Sequence, residues 1–338
     1  MVAEQQFEQF NQSVSPVVNL KLLESHYERG WFNSQARAVF GTQNVSESVP
    51  KEYHFIFDHH IDHGFLPLKS TQIYSTLFTD EPVIRAELGG EAKEVKLLES
   101  NTMLQGNGDV VSMVTMPALV FTDVENHAVL QWQNSQGEVN VKQNGALMST
   151  GLAVPQVKLE TDQGQIIVQS IGLEIELQQG VTDLMEGKEN LTVAELRLAG
   201  TQPPVVKLEG IKVKGNHQVS ADNLTIAMKM ALQQVAVGKD YYGPGYGELE
   251  LRHWHTESLG KIIKALVESR QQGPTQFNLV MLAMLMQYGV TLLNNAPEIA
   301  INHLSFETKD GKIQGELQVK MEEFNARSLF NPWLLLND

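Results

Sequence analysis

Hydrophobic and polar positions alternate with a period of two through most of this chain, and its elements are read from where that alternation starts, stops and changes period. Phe7, Phe10 and Val14 recur at helical spacing among Glu and Gln, which predicts a short amphipathic N-terminal helix ending at Ser15-Pro16. Val18, Leu20 and Leu22 then alternate with polar residues, Glu28-Arg29-Gly30 interrupts, and Phe32, Ser34, Ala36, Ala38 and Phe40 resume the alternation. That pattern predicts a hairpin, with Gly30 supplying a positive φ to its turn. Tyr53 to Ile61 is the next strand, with His54, Ile56, Asp58, His60 and Asp62 on one face and Tyr53, Phe55, Phe57, His59, Ile61 and His63 on the other. Leu68, Ile73 and Leu77 approximate helical spacing, so Leu68 to Phe78 is read as a short helix.

From about Pro82 to Leu251 the signals are nearly all strand, punctuated by Gly89-Gly90, Gly106-Asn107-Gly108, Asn134 to Gly137, Asp162 to Gly164 and Gly238 to Asp240. Strand and turn without intervening helix point to antiparallel pairing. Thr182 to Asn190 is read as a loop or a short turn of helix, and Tyr241 to Gly247 as a loop. Two helices follow: one from roughly 254 to 271, with Trp254 anchoring a strand-to-helix junction, and one from Gln276 to Leu293 after Gly273-Pro274. Phe277, Val280, Met281, Met284, Leu285 and Tyr288 line one side of the second helix and are candidates for an apolar groove, though the helix falls short of a membrane span. Ile299 to Glu307 and Lys312 to Met321 form the clearest hairpin, around Lys309-Asp310-Gly311. The apolar tail from Phe330 to Leu336 reads as the start of a further element.

The expected class is therefore α+β: long antiparallel strands in a curved sheet, with an N-terminal helix and a helical hairpin packed on it. Three regions are expected. Residues 1–122 hold the N-terminal helix, the first hairpin and the His-Gly strand; 123–251 are sheet; 252–338 hold the helical hairpin and the closing β-hairpin. They form one extended lobe or two closely joined ones.

Composition narrows the function classes. With 40 acidic against 25 basic residues and no cluster of Lys and Arg, the chain has no surface suited to a phosphate backbone, so nucleic acid is not an expected partner. The absence of cysteine excludes disulfides, thiolate metal sites and cysteine nucleophiles. The opening residues lack the basic and then apolar stretch of a signal peptide or anchor.

Candidate chemistry concentrates in Asp58-x-His60-x-Asp62-His63, one residue away from the His-x-His-x-Asp-His run that holds two zinc ions in metallo-β-lactamases. That superfamily needs βα alternation and downstream ligands, and His127 and His217 stand in strand-rich surroundings. The preferred reading makes His60 and Asp62 a polar strand face and His63-Gly64 a turn. No nucleophile-elbow, Walker-type or dinucleotide pattern appears, and no cofactor is expected.

At Tyr27-Glu28-Arg29-Gly30-Trp31-Phe32-Asn33-Ser34 and Asp62-His63-Gly64-Phe65-Leu66-Pro67 the sequence resembles the YdgA-like family of bacterial envelope proteins, with Tyr27, Arg29, Gly30, Phe32, Ser34, Asp62, His63, Gly64 and Pro67 as the motif residues. A proline commonly follows the His-Gly pair in that family, and Phe65 stands here instead. The resemblance implies a periplasmic body tethered to the inner membrane by an N-terminal anchor, with no catalytic residues. The expected function is non-enzymatic: binding an envelope protein or an apolar, lipid-like component. The alternatives are a metal-dependent hydrolase using Asp58, His60, Asp62 and His63, and a structural module that forms a homodimer through a sheet edge or the helical pair.

Overall fold

The computed structural model describes residues 20–42, 53–63, 70–87, 94–123, 127–142, 145–180, 185–220, 222–270 and 274–321. The expected N-terminal helix and the apolar tail lie outside them. The chain divides into two compact units: residues 1–144, 149–171 and 197–203, and residues 145–148, 172–196 and 204–338.

The first unit contains β1 (Leu20–Arg29), β2 (Asn33–Thr42), β3 (His54–Asp62), β4 (Thr71–Thr79), a short helix α1 (Pro82–Glu87), β5 (Val95–Leu104), β6 (Val110–Met116), β7 (Leu119–Asp123), β8 (Ala128–Trp132) and β9 (Ser135–Lys142). Long strands β10 (Leu147–Thr161), β11 (Gly164–Gln179) and β12 (Met185–Gly200) contribute residues to both units. Antiparallel pairing runs β1-β2-β3-β4-β5-β6-β9, while β8 pairs with β7 and with Val157 to Glu160 of β10. The period-two reading of β2 holds: Ser34, Ala36, Ala38 and Phe40 are buried, and Gln35 and Arg37 between them are exposed. Phe78 and Val154 complete the apolar core of this unit among the described residues, and the buried Thr79 hydroxyl donates to the His54 carbonyl at 2.8 Å.

The second unit contains β13 (Val206–Val219), β14 (Asn223–Leu232), β15 (Gln234–Val237), β16 (Asp240–Tyr242), β17 (Gly245–His255), α2 (Thr256–Arg270), α3 (Pro274–Asn294), β18 (Glu298–Thr308) and β19 (Gly311–Lys320). Its antiparallel order is β13-β14-β17-β18-β19, with β15 on the start of β13 and β16 on β15. The chain passes from β17 directly into α2, as the Trp254 junction predicted. There the His255 Nδ1 accepts the Ser258 backbone N–H at 3.2 Å, satisfying one of the free amides of the helix start. The two helices pack chiefly on each other and meet the sheet at β17. Among the described residues no helix is long and apolar enough to cross a membrane.

The α+β expectation is corrected: the fold is nearly all β, built from antiparallel strands with the helices a minor part. Part of the difference lies in segments read as something else. Leu68 to Phe78 contains β4, because Thr71, Ile73, Thr76 and Thr79 are β-branched and neighbours on both sides supply a full ladder, which outweighs three apolar residues at helical spacing. Thr182 to Asn190 contains the start of β12, and Tyr241 to Gly247 belongs largely to β16 and β17.

Candidate functional site

The two opening motifs meet in the first unit. The β1–β2 turn places Ser34 at the start of β2, fully buried, and its Oγ lies 2.7 Å from the His63 Nε2 beyond the end of β3. The His63 backbone N–H donates to the Phe32 carbonyl at 2.8 Å. Motif residues 29 positions or more apart are thereby tied across adjacent strands. Gly30 serves the turn differently from the expectation: its φ lies outside the left-handed region, and it is required because a β-carbon would fall 2.3 Å from the Asn33 carbonyl oxygen. Tyr27 is half-buried, Arg29 is exposed, and Trp31 and Phe32 at the hairpin tip are 96% and 62% exposed. Gly64 and Pro67 lie outside the described residues.

Around this nexus β1 to β4 form a polar face. Cross-strand registers place His26, Arg37, Asp58 and Thr76 in one row and Glu28, Gln35, His60 and Tyr74 in the next, beneath a cleft of about 470 Å³. Arg37 holds Asp58 with Nε and Nη2 each 2.6 Å from a carboxylate oxygen, a bidentate pair that raises the guanidinium pKa. His60 Nε2 lies 3.1 Å from Asp62 Oδ1. On the inward face, the His59 Nδ1 is 2.7 Å from the Ser75 Oγ, and burial lowers its pKa to about 4.

The four candidate metal ligands are not brought together. Asp58, His60 and Asp62 share a strand face at alternate positions, about 7 Å apart along the backbone. Asp58 is committed to Arg37, and His63 turns to Ser34. No group of three or more His, Asp or Glu able to hold a metal occurs among the described residues. The Ser34–His63 contact is not an activated nucleophile either. Ser34 is 1% exposed, so no substrate carbonyl can reach its oxygen.

An extended apolar surface lies in the second unit, on one face of β14, β17, β18 and β19. Its registers align four rows: Leu232, Gly245, Phe306 and Ile313; Met230, Gly247, Leu304 and Gly315; Met228, Leu249, Ile301 and Leu317; Ile226, Leu251, Ile299 and Val319. No charged or hydrogen-bonding side chain interrupts them. On β13 the face continues to Val213 and ends at Gly215, over which the Glu189 carboxylate lies, and His217. Met230, Leu304, Ile313 and Leu317 are 42%, 47%, 60% and 54% exposed, so much of the face meets solvent. Gly315 leaves open space on this face, whereas the Phe306 ring lies over Gly245 and the Met230 and Leu304 side chains close over Gly247.

Two further cavities lie away from these faces. In the first unit Tyr53, Phe55, Ile84, Leu119, Phe121 and Trp132 help line an apolar cleft of about 400 Å³, where the buried Trp132 indole N–H has no hydrogen-bond partner. In the second unit a polar cleft of about 590 Å³ has residues that satisfy one another: Glu186 accepts from Gln178 at 2.6 Å, and His217 lies 3.1 Å from Glu189.

The apolar groove expected on the second helix falls on α3. Val280, Met281, Met284 and Tyr288 are half-buried there, and the Lys261 ammonium of α2 sits 5.1 Å from the Tyr288 ring centre. The side chains of Phe277 and Leu285 lie outside the described residues. Sequence reading missed the four-strand apolar face. Its signal was present as alternation in each run, but only the registers align the runs into one surface.

A family model described as a bacterial protein of unknown function, DUF945, matches residues 1–338. No curated protein and no solved structure matches the chain.

Proposed function

This chain belongs to the DUF945 family, and from that premise we propose that it is a non-enzymatic binding protein of the bacterial envelope that takes an apolar, lipid-like component on the open face of β14, β17, β18 and β19. Within the family it stands with the YdgA-like proteins, its body in the periplasm and tethered to the inner membrane. The single observation carrying the binding reading is the row-by-row apolar face. Contiguous exposed apolar surface of this kind is expensive to leave in water unless something covers it. The open space at Gly315, where a β-carbon would meet nothing within 4 Å, leaves room for a flexible apolar chain laid along the strands.

Native mass spectrometry of the protein as purified from bacteria, followed by titration with a fluorescent long-chain fatty acid, tests this. A lipid-sized adduct and saturable binding are expected. Both are expected to fall at least tenfold in the double variant Met230→Glu/Leu304→Glu, whose two sites are exposed enough to accept charge without unfolding the strand. An adduct-free mass with no saturable binding, or binding that the double variant leaves unchanged, would refute the reading.

A further inference from the structure

We propose that the polar cleft over β1 to β4 is a second binding site, for an uncharged, β-linked sugar chain that lies across the strands. It belongs to the first unit and does not require the lipid reading.

The side chains of the cleft are set in place before any ligand arrives. Arg37 is fixed by both carboxylate oxygens of Asp58. The Tyr74 hydroxyl donates to Gln72 Oε1 at 2.8 Å while the residue stays 43% exposed, and His60 stands 3.1 Å from Asp62. Beside these fixed groups, Glu28 and Gln35 are exposed and have no side-chain partner among the described residues. Tyr, His and Asp have few side-chain torsions, so ordering them against a ligand costs little entropy.

Charge and polarity narrow the ligand. The cleft is lined by no lysine and its one arginine is neutralised by Asp58, so Glu28 stands with no cation to offset an anionic ligand. No group of three or more metal ligands occurs among the described residues. The lining has no aliphatic side chain larger than Ala36, which disfavours a lipid chain. Both β2 and β3 are paired on each side, so they offer no strand edge to an extended peptide. What fits is a neutral molecule that donates and accepts hydrogen bonds at many points. A polyol does so, since each hydroxyl is donor and acceptor at once, and carboxylate, amide and imidazole groups are its complements. The exposed Tyr74 ring adds an aromatic face for the apolar side of a sugar ring.

The register sets the direction of the chain. Glu28, Gln35, His60 and Tyr74 lie opposite one another from β1 to β4, Asn101 of β5 continues the row, and each of these residues is exposed. Successive members of the row are about 4.8 Å apart across the strands, close to the length of one ring in an extended β-linked chain. Each ring then meets the side chain of one strand, and filling the row takes several rings. A coiled, α-linked chain does not keep that step.

Isothermal titration calorimetry of the full chain with cellohexaose, and with the corresponding hexamer of β-1,4-linked N-acetylglucosamine, tests this. Saturable binding of at least one is expected, and at least tenfold weaker binding of its disaccharide and of α-linked maltohexaose. Tyr74→Ala and Gln35→Ala are each expected to weaken binding at least fivefold with the urea midpoint unchanged. Should Tyr74→Ala unfold the strand, Gln35→Ala, at an exposed position with no partner to lose, decides alone. Absence of saturable binding by both β-linked hexamers, equal binding of maltohexaose, or binding indifferent to the substitutions would overturn the proposal. So would tighter binding of a β-linked oligomannuronate, whose carboxylates find no free cation in the cleft. The Met230→Glu/Leu304→Glu variant is expected to bind the sugar as the wild-type chain does, so failure of the lipid reading and failure of this one are separate results.

Discussion

His59 gives the sharpest energetic test of the first unit. It lies on the inward face of β3, its ring 5.0 Å from that of Phe57 and its Nδ1 2.7 Å from the Ser75 hydroxyl. Burial lowers its pKa from 6.5 to about 4, against the opposite pull of the nearby Asp58 charge. A depression of that size corresponds to roughly 3 kcal/mol of coupling between protonation and folding. The folded pKa is the lower one, so between pH 6.5 and about 4 the unfolded chain binds a proton that the folded chain does not. Stability attributable to His59 is complete above 6.5, falls as the pH drops through that window, and changes no further below it. The perturbation is His59→Phe combined with Ser75→Ala, which removes the titrating ring and its hydroxyl partner together, so that the Ser75 hydroxyl is not left unpaired. Urea unfolding, read by pulsed hydrogen exchange of β3 and β4 peptides so that the second unit does not mask the first, is followed from pH 7 to 4. The wild-type chain is expected to lose roughly 3 kcal/mol more than the double variant over that range. Parallel pH profiles for the two proteins would refute the argument, because the acid sensitivity of this unit would then come from other groups.

Two further substitutions probe local geometry. Gly30→Ala forces a β-carbon into the Asn33 carbonyl oxygen and is expected to cost about 1–3 kcal/mol, seen as faster amide exchange in β1 and β2; unchanged exchange would show that the turn can relax. Glu298 is buried and accepts from Arg252 Nη1 at 2.8 Å and Gln318 Nε2 at 3.0 Å, so Glu298→Ala is expected to lower stability by about 1–3 kcal/mol in urea unfolding. Glu298→Gln, which keeps one acceptor oxygen, should lose less, and equal losses would remove the hydrogen bonds as the cause.

The sequence by itself determined what each segment can be. Alternation marked β2, β3, β18 and β19 and which residues share a face, so Ser34, Ala36 and Ala38 were grouped on one face of β2 and Asp58 and His60 on one face of β3 before any partner was known. Helical spacing and Gly273-Pro274 marked the pair α2 and α3, and Asp310-Gly311 marked the last turn. These features are local: the energies that set them act between residues a few positions apart.

Tertiary structure decided what meets what. That Ser34 reaches His63, that Arg37 clamps Asp58, that β9 lies beside β6 and β17 beside β14, and that Thr71–Thr79 is a strand all depend on contacts between residues distant in sequence. The candidate binding face is the clearest case. Each of its four strands carries an unremarkable alternation of apolar and polar residues. A slip of one residue in any register would turn that strand's apolar side to the opposite face. Only the observed registers add the strands into one continuous apolar surface.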